Sequence, residues 1–209
     1  MSAASRAVVV GGASGIGWAV AKGFAAEGRH VTIADRNAAG AAEKVDELGA
    51  PHDGAHVDVT DEPSVAALFD NIGPIDIVVN TAGFGGFGRI TEQPVEDFRA
   101  IVDCCLTGGF IVMKHAGRHL RDGGSLVSIT SLNARLAAPG MSAYCAAKAG
   151  LAMLTQVGAL EFGPRGIRVN AVSPGFVHTP LTELVTMARG AHLKRYPDVL
   201  AHVDRMASA

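Results

Sequence analysis

Short apolar runs alternate with longer amphipathic stretches along most of the chain. Six runs, 6–11, 30–35, 54–59, 75–81, 124–130 and 167–173, are rich in Val, Ile and Ala. They predict strands buried in a parallel sheet. Between them the apolar positions recur at helical spacing and predict helices over 15–27, 38–48, 62–71, 94–120 and 142–162. Gly163-Pro164 stops the last of these. Strand and helix in strict alternation define an α/β protein: a doubly wound parallel sheet in three α/β/α layers. No Pro/Gly linker or internal repeat divides residues 1–209, so one domain is expected. Residues 180–209 close the chain with a helical pattern carrying Tyr196, Leu200, Val203 and Met206.

The first strand runs into Gly11-Gly12-Ala13-Ser14-Gly15-Ile16-Gly17 and then a helix. Glycines let the backbone turn tightly and approach a pyrophosphate, and the helix start aims free amides at it. Gly is abundant here, at 26 of 209 residues, so the turn alone is weak evidence. The second strand adds to it by ending in Asp35, 18 positions after Gly17. An acid at about that offset accepts from an adenosine ribose hydroxyl, as in a Rossmann-like fold. Its charge would repel a 2′-phosphate, which favours NAD(H) over NADP(H). Arg36 could pair with that phosphate, stack near adenine or face solvent. Trp18 and Ala19 stand where a Walker motif needs Lys and Ser or Thr, which argues against a triphosphatase.

Tyr144 and Lys148 lie four residues apart in a predicted helix and project from one face. A phenol ionises near about pH 10, and a neighbouring ammonium is expected to lower that value. Such a tyrosine exchanges a proton with an alcohol or carbonyl oxygen. Ser131, 13 residues earlier at the end of the fifth strand, could hold the substrate oxygen. The third strand ends in Asp58-Val59, beside the expected adenine site. The fourth ends in Asn80-Thr81-Ala82-Gly83, where Asn80 could tie neighbouring strands and the small residues keep the crevice open. Pro174 and Gly175 turn the chain across the same crevice.

Net charge is −2 and no long basic run exists, so nucleic acid is not an expected partner. No apolar run approaches the roughly 20 residues of a membrane span, and no signal peptide is expected ahead of the first strand. Cys104, Cys105 and Cys145 form no CxxC pattern and fit a reducing cytoplasm. His115 and His119 are spaced i,i+4 without the glutamate of HExxH, and read as a solvated helix face rather than metal ligands.

Taken together, Gly11–Gly17, Asp58-Val59, Asn80-Thr81-Ala82-Gly83, Ser131, Tyr144-Cys145-Ala146-Ala147-Lys148 and Pro174-Gly175 with Thr179 resemble the short-chain dehydrogenase/reductase family. The likeness spans about residues 6–180. It implies a Rossmann fold, a nicotinamide cofactor, oxidation of an alcohol or reduction of a carbonyl, and a homo-oligomer, dimer or tetramer. It also implies roles. Tyr144 would be the acid/base, Lys148 would bind the nicotinamide ribose, and Ser131 would orient the substrate. Gly11, Ser14, Gly15, Ile16 and Gly17 would cradle the pyrophosphate. Asp35 and Arg36 would meet the adenosine ribose, Asp58 and Val59 would border adenine, and Asn80 and Ala82 would line the nicotinamide side. Val177 and Thr179 would touch the carboxamide.

Four departures mark this chain. Val10 replaces the Thr before the glycines, Thr81 replaces the second Asn of Asn-Asn-Ala-Gly, and Cys105 stands at the position of the catalytic Asn. The chain also stops at residue 209, short of the usual final strand, which would leave the sixth strand an edge. Two other readings compete: a nucleotide-binding regulatory protein without turnover, and a nucleotide-sugar epimerase, which needs a larger C-terminal region. Phe84, Phe87, Leu132, Leu136, Pro139 and Met141 suggest an apolar substrate wall, and Arg135 could meet an anion.

Overall fold

The computed structural model describes residues 5–179. The helical pattern expected over 180–209 lies outside the described residues. Six strands, β1 (Arg6–Val10), β2 (His30–Asp35), β3 (Asp53–His56), β4 (Ile75–Asn80), β5 (Leu120–Ile129) and β6 (Arg168–Val172), form one sheet in the order β3-β2-β1-β4-β5-β6. All pairings are parallel. Strand order reverses between β1 and β4, and a doubly wound sheet places its ligand at that switch point, outside the carboxyl ends.

Six helices cover the two faces: α1 (Gly15–Ala26), α2 (Ala38–Leu48), α3 (Glu62–Ile72), α4 (Val95–Val102), α5 (Gly108–His119) and α6 (Ser142–Phe162). Alternate residues of each strand face opposite layers. Val9, Val31 and Ile33 pack on α1 and α2 with Ala21, Ala41, Trp18 and Phe24. Val8, Val10, Ala34 and Val78 pack on the other face with Phe69, Val112, Met113 and Leu154 from α3, α5 and α6. The side chains of Asn37 and Asp61 cap α2 and α3 by accepting from Gly40 N and Ser64 N.

Three expectations need correction. The third strand ends at His56 rather than residue 59. Asp58 draws the backbone out of the ladder, because its Oδ1 accepts from both the amide and the hydroxyl of Thr60, at 2.9 and 2.7 Å.

The helix expected over 94–120 is continuous from Val95 to His119 but contains a π turn at Asp103–Thr107. At 25 residues and a mean hydropathy of 1.2, it does reach the length and composition of a membrane span. Ile101, Ile111, Val112, Met113 and Ala116 bury it in the protein's own core.

His115 and His119 are not a solvated face. His115 is buried with Nε2 3.2 Å from Glu62, and His119 stacks on Phe69 with Nε2 3.0 Å from Asp70. Both tie α5 to α3.

Among the described residues β6 is an edge, and Arg168, Asn170 and Val172 on one of its faces are exposed.

Candidate active site

The carboxyl ends of β1, β2, β4 and β5 open onto a crevice of about 600 Å³. Its floor is the glycine turn. Gly11 has φ +78°, in the left-handed region, and a Cβ there would stand 2.7 Å from Thr81 Oγ1. Gly17 is held as closely, because a Cβ would lie 2.2 Å from the Gly11 carbonyl oxygen. Ser14 caps α1 without accepting a side-chain cap hydrogen bond. The first amides of α1 therefore face the crevice without a side-chain acceptor, an arrangement suited to phosphate oxygens.

Asp35 ends β2 at the crevice edge. Its Oδ2 accepts from Ala13 N at 3.1 Å and its Oδ1 from Asn37 N at 2.9 Å, so two backbone amides fix the carboxylate. Thr60 holds Asp58 below the usual carboxylate range through its hydroxyl and amide, and the charges of Arg36 and His56 add to this. Val59 packs on the first turn of α5. A Cβ on Gly108 would lie 2.8 Å from Val59 Cγ2.

The opposite wall comes from β5 and α6. Ser131 follows β5 and is buried, and its Oγ accepts from Asn133 N at 3.1 Å. Tyr144 and Lys148 share one face of α6, with Lys148 Nζ 5.6 Å from the phenol ring centroid. Lys148 is only 3% exposed and donates to Ile129 O at 2.8 Å. The expected lowering of the Tyr144 pKa by Lys148 is not what this geometry produces. Burial pushes the phenol up to about 12, the Cys105 sulfur adds to that, and the Ser131 hydroxyl opposes it. The ammonium is turned toward the Ile129 carbonyl instead.

Seventeen of the eighteen residues proposed from sequence line this crevice: Gly11, Ser14, Gly15, Ile16, Gly17, Asp35, Arg36, Asp58, Val59, Ala82, Ser131, Tyr144, Lys148, Pro174, Gly175, Val177 and Thr179. Asn80 is the exception. It is 3% exposed and its Oδ1 accepts from Ala82 N, so it shapes the turn behind the crevice. The strand tie assigned to it belongs to its neighbour. Thr81 Oγ1 lies 2.8 Å from Val10 O and 3.0 Å from Gly11 O, joining β4 to the glycine turn. The substitution of Thr for Asn thus keeps a hydrogen bond across the switch point.

Thr130 and Cys104 also line the crevice and were not anticipated. Thr130 Oγ1 binds Val172 O at 2.9 Å and faces Ser173 Oγ at 2.7 Å, which fastens the Pro174-Gly175 turn to β5. A polar residue following a strand was the available signal. Cys104 was masked by the helical periodicity around it, because only the π turn directs it toward the crevice.

A parallel sheet with this strand order, a glycine turn beneath helix amides without a side-chain acceptor, and a half-buried tyrosine beside a buried lysine define a dinucleotide-dependent oxidoreductase. The comparisons agree. A family model described as enoyl-(acyl carrier protein) reductase matches residues 11–204. A cis-4-hydroxycyclohexanecarboxylate dehydrogenase of Sinomonas cyclohexanicum is 40% identical over 84% of this chain and 74% of its own length. The crystal structure of a dehydrogenase/reductase from Sinorhizobium meliloti 1021 superposes with a TM-score of 0.80 at 37% identity, covering 85% of this chain and 74% of that one. The crystal structure of BdcA in complex with NADPH gives 0.79 at 30% identity, with coverage of 85% and 72%. The chain belongs to the short-chain dehydrogenase/reductase family. It is an enzyme that acts at the CH–OH/C=O level with a nicotinamide dinucleotide.

Proposed function

We propose that the protein interconverts an apolar secondary alcohol and its ketone with NAD(H), and that Tyr144 is the group that moves the proton. The observation that carries this reading is the convergence of Ser131, Tyr144 and Lys148 on one wall of the crevice, facing the glycine turn. A bound nicotinamide would supply the hydride acceptor or donor. Ser131 orients the substrate oxygen toward the phenol. With its pKa held high, Tyr144 is protonated at neutral pH and poised to give a proton to a carbonyl. In the direction of alcohol oxidation the same group takes the proton back, so oxidation gains from rising pH. Lys148 supports the nicotinamide ribose from its buried seat.

NAD(H) is favoured because Asp35 is locked at the ribose edge by two amides and cannot turn away from a 2′-phosphate. Arg36 lies close enough to Asp58 to act on it electrostatically, which engages that guanidinium at the edge. Phe84, Leu132 and Leu136 are partly exposed at the substrate end, and the loop after Phe84 is pinned by Gly88 N donating to Gly140 O at 2.9 Å. This apolar rim suits a ring such as the one named for the Sinomonas relative.

Exposed Phe98, Phe110, Met153, Val157 and Leu160 on α4, α5 and α6 support self-association into a dimer or tetramer. Three free cysteines, two of them in sequence, fit a reducing cytoplasm.

The test is a panel of cyclic secondary alcohols and ketones with NAD(H) and NADP(H), run on the wild type and on Tyr144→Phe. Tyr144→Phe is expected to lose about 10²–10⁴-fold in turnover while keeping NADH affinity within a few-fold. A Tyr144→Phe enzyme with near wild-type turnover would sink the mechanism.

A further inference from the structure

Lys148 sits in an unusual place for a charge. At 3% exposure it has lost its water, yet its hydrogen-bond acceptor among the described residues is one carbonyl, Ile129 O at 2.8 Å. An ammonium carries three donors. No carboxylate among the described residues pairs with it. Burying a charge without a counter-charge is costly, and burial indeed holds the Lys148 pKa below its ordinary value.

A group able to carry the missing charge, Cys105, stands across Gly83 from the ammonium. It is 1% exposed, and the π turn Asp103–Thr107 delivers its sulfur to the back of the site. A Cβ built on Gly83 would lie 3.1 Å from Cys105 Sγ and 3.2 Å from Lys148 Nζ. Sulfur and ammonium therefore flank the same bare stretch of backbone, and only the absence of a Gly83 side chain leaves them facing each other.

We propose that Cys105 is a positioning residue whose sulfur supplies the counter-charge of Lys148 across the Gly83 backbone, holding the ammonium beside Tyr144. This rests on the assignment of Tyr144 and Lys148 to the acid–base chemistry.

The surroundings determine which form the sulfur takes. As a neutral thiol it donates to Phe84 O at 3.3 Å. Cys104, its neighbour in the π turn, donates to the sulfur in its ionised form, and Lys148 across Gly83 attracts the same charge. These outweigh burial and bring Cys105 down to about 6. The proton stays with Cys104, whose thiol is pushed up by the same contact. Tyr144 faces the sulfur from α6 and is raised by it, Cys145 acts on Tyr144 from the same helix, and Arg36 acts on Cys104 from the far side of the crevice. The negative sulfur thus serves two functions: it retains the lysine charge and it delays ionisation of the tyrosine.

The direct test follows the thiolate ultraviolet band of the protein alone, without substrate or cofactor. One of the three cysteines should ionise about 1 unit or more below the ordinary thiol value of about 8.5. Cys105→Ser should abolish that step, and Lys148→Met should move it up by about 1 unit or more. Wild-type thiols that all titrate at or above the ordinary value, or an early step that survives Cys105→Ser, would overturn the proposal.

A second comparison does not depend on the folding of the Lys148 variant. In oxidation of cyclohexanol by NAD, the acid limb of log kcat/KM should move to lower pH by about 1 unit in Cys105→Ser. It should stay at the wild-type position in Cys105→Asp, which restores the charge at nearly the same volume. A limb that stays in place for Ser and moves for Asp would show that size, not charge, is what the site needs. Tyr144→Phe judges the acid–base reading separately, and the ultraviolet titration proceeds whichever way that falls.

Discussion

Gly17→Ala and Gly23→Ala place the same methyl on the same helix six residues apart, and the structure assigns them opposite outcomes. At Gly17 the new Cβ would lie 2.2 Å from the Gly11 carbonyl oxygen and 2.6 Å from Thr81 Oγ1. An ordinary carbon–oxygen contact is roughly 3.3 Å or longer, so the overlap exceeds 1 Å against backbone. Relief requires α1 to lift off the glycine turn or the Gly11 peptide to rotate. Forced overpacking of this kind costs about 1–3 kcal/mol, which in a domain of this size lowers Tm by about 2–12 °C. The same displacement moves the amides that face the crevice, so NADH affinity should fall at least about tenfold, or about 1.4 kcal/mol. At Gly23 a Cβ meets nothing within 4 Å. Its exposed helical position should gain about 0.5–1 kcal/mol from the lower entropy of the unfolded chain and the better propensity of alanine. Thermal unfolding and isothermal titration with NADH measure both variants side by side. Equal behaviour of the two, or unchanged NADH affinity in Gly17→Ala, would refute the idea that the α1–glycine turn contact builds the cofactor floor.

Asp35→Ser removes the charge at the ribose edge while keeping a small acceptor. The NADH-to-NADPH affinity ratio, read by titration, should fall about tenfold or more, and no change would mean that Arg36 governs the choice. Carbonyl reduction should hold its rate through neutral pH, whereas alcohol oxidation should climb with pH, because the Tyr144 phenol is held up near 12. Paired pH–rate profiles decide this, and oxidation already flat at pH 6 would contradict the half-buried, protonated phenol. Asp76 loses water on folding, which raises its pKa, but Arg6 N at 2.7 Å and Arg121 at 2.9 Å outweigh that and depress it. A depressed carboxylate contributes stability above its unfolded value and loses it as pH falls through the folded value. Asp76→Asn should therefore cost up to about 1 kcal/mol at pH 7, and the cost should shrink steadily as pH falls through the folded value, in urea titrations run from neutral into acid.

What could be read without coordinates is local. Val, Ile and Ala runs broken by helical periodicity gave five helices and six strands their places, because buried parallel strands and amphipathic helices leave different periods in one dimension. The helix over 94–120 carries a π turn that no period reveals. The glycine turn, Asp35, Ser131, Tyr144 and Lys148 were legible because each chemistry needs a residue type at a set distance from its own element. Three things came only with tertiary contacts. Asn80 left the crevice and Thr81 took over the tie to β1, since which side chain faces the neighbouring strand depends on the twist of a turn. His115 and His119 moved from surface to core seam because α3 lies against them. The effect of Lys148 on Tyr144 changed because its ammonium bonds Ile129 while burial acts on the phenol. Spacing along a helix states that two groups are neighbours. The direction of their hydrogen bonds, the loss of water around them and the sulfur that shares their cavity belong to packing between segments far apart in the chain.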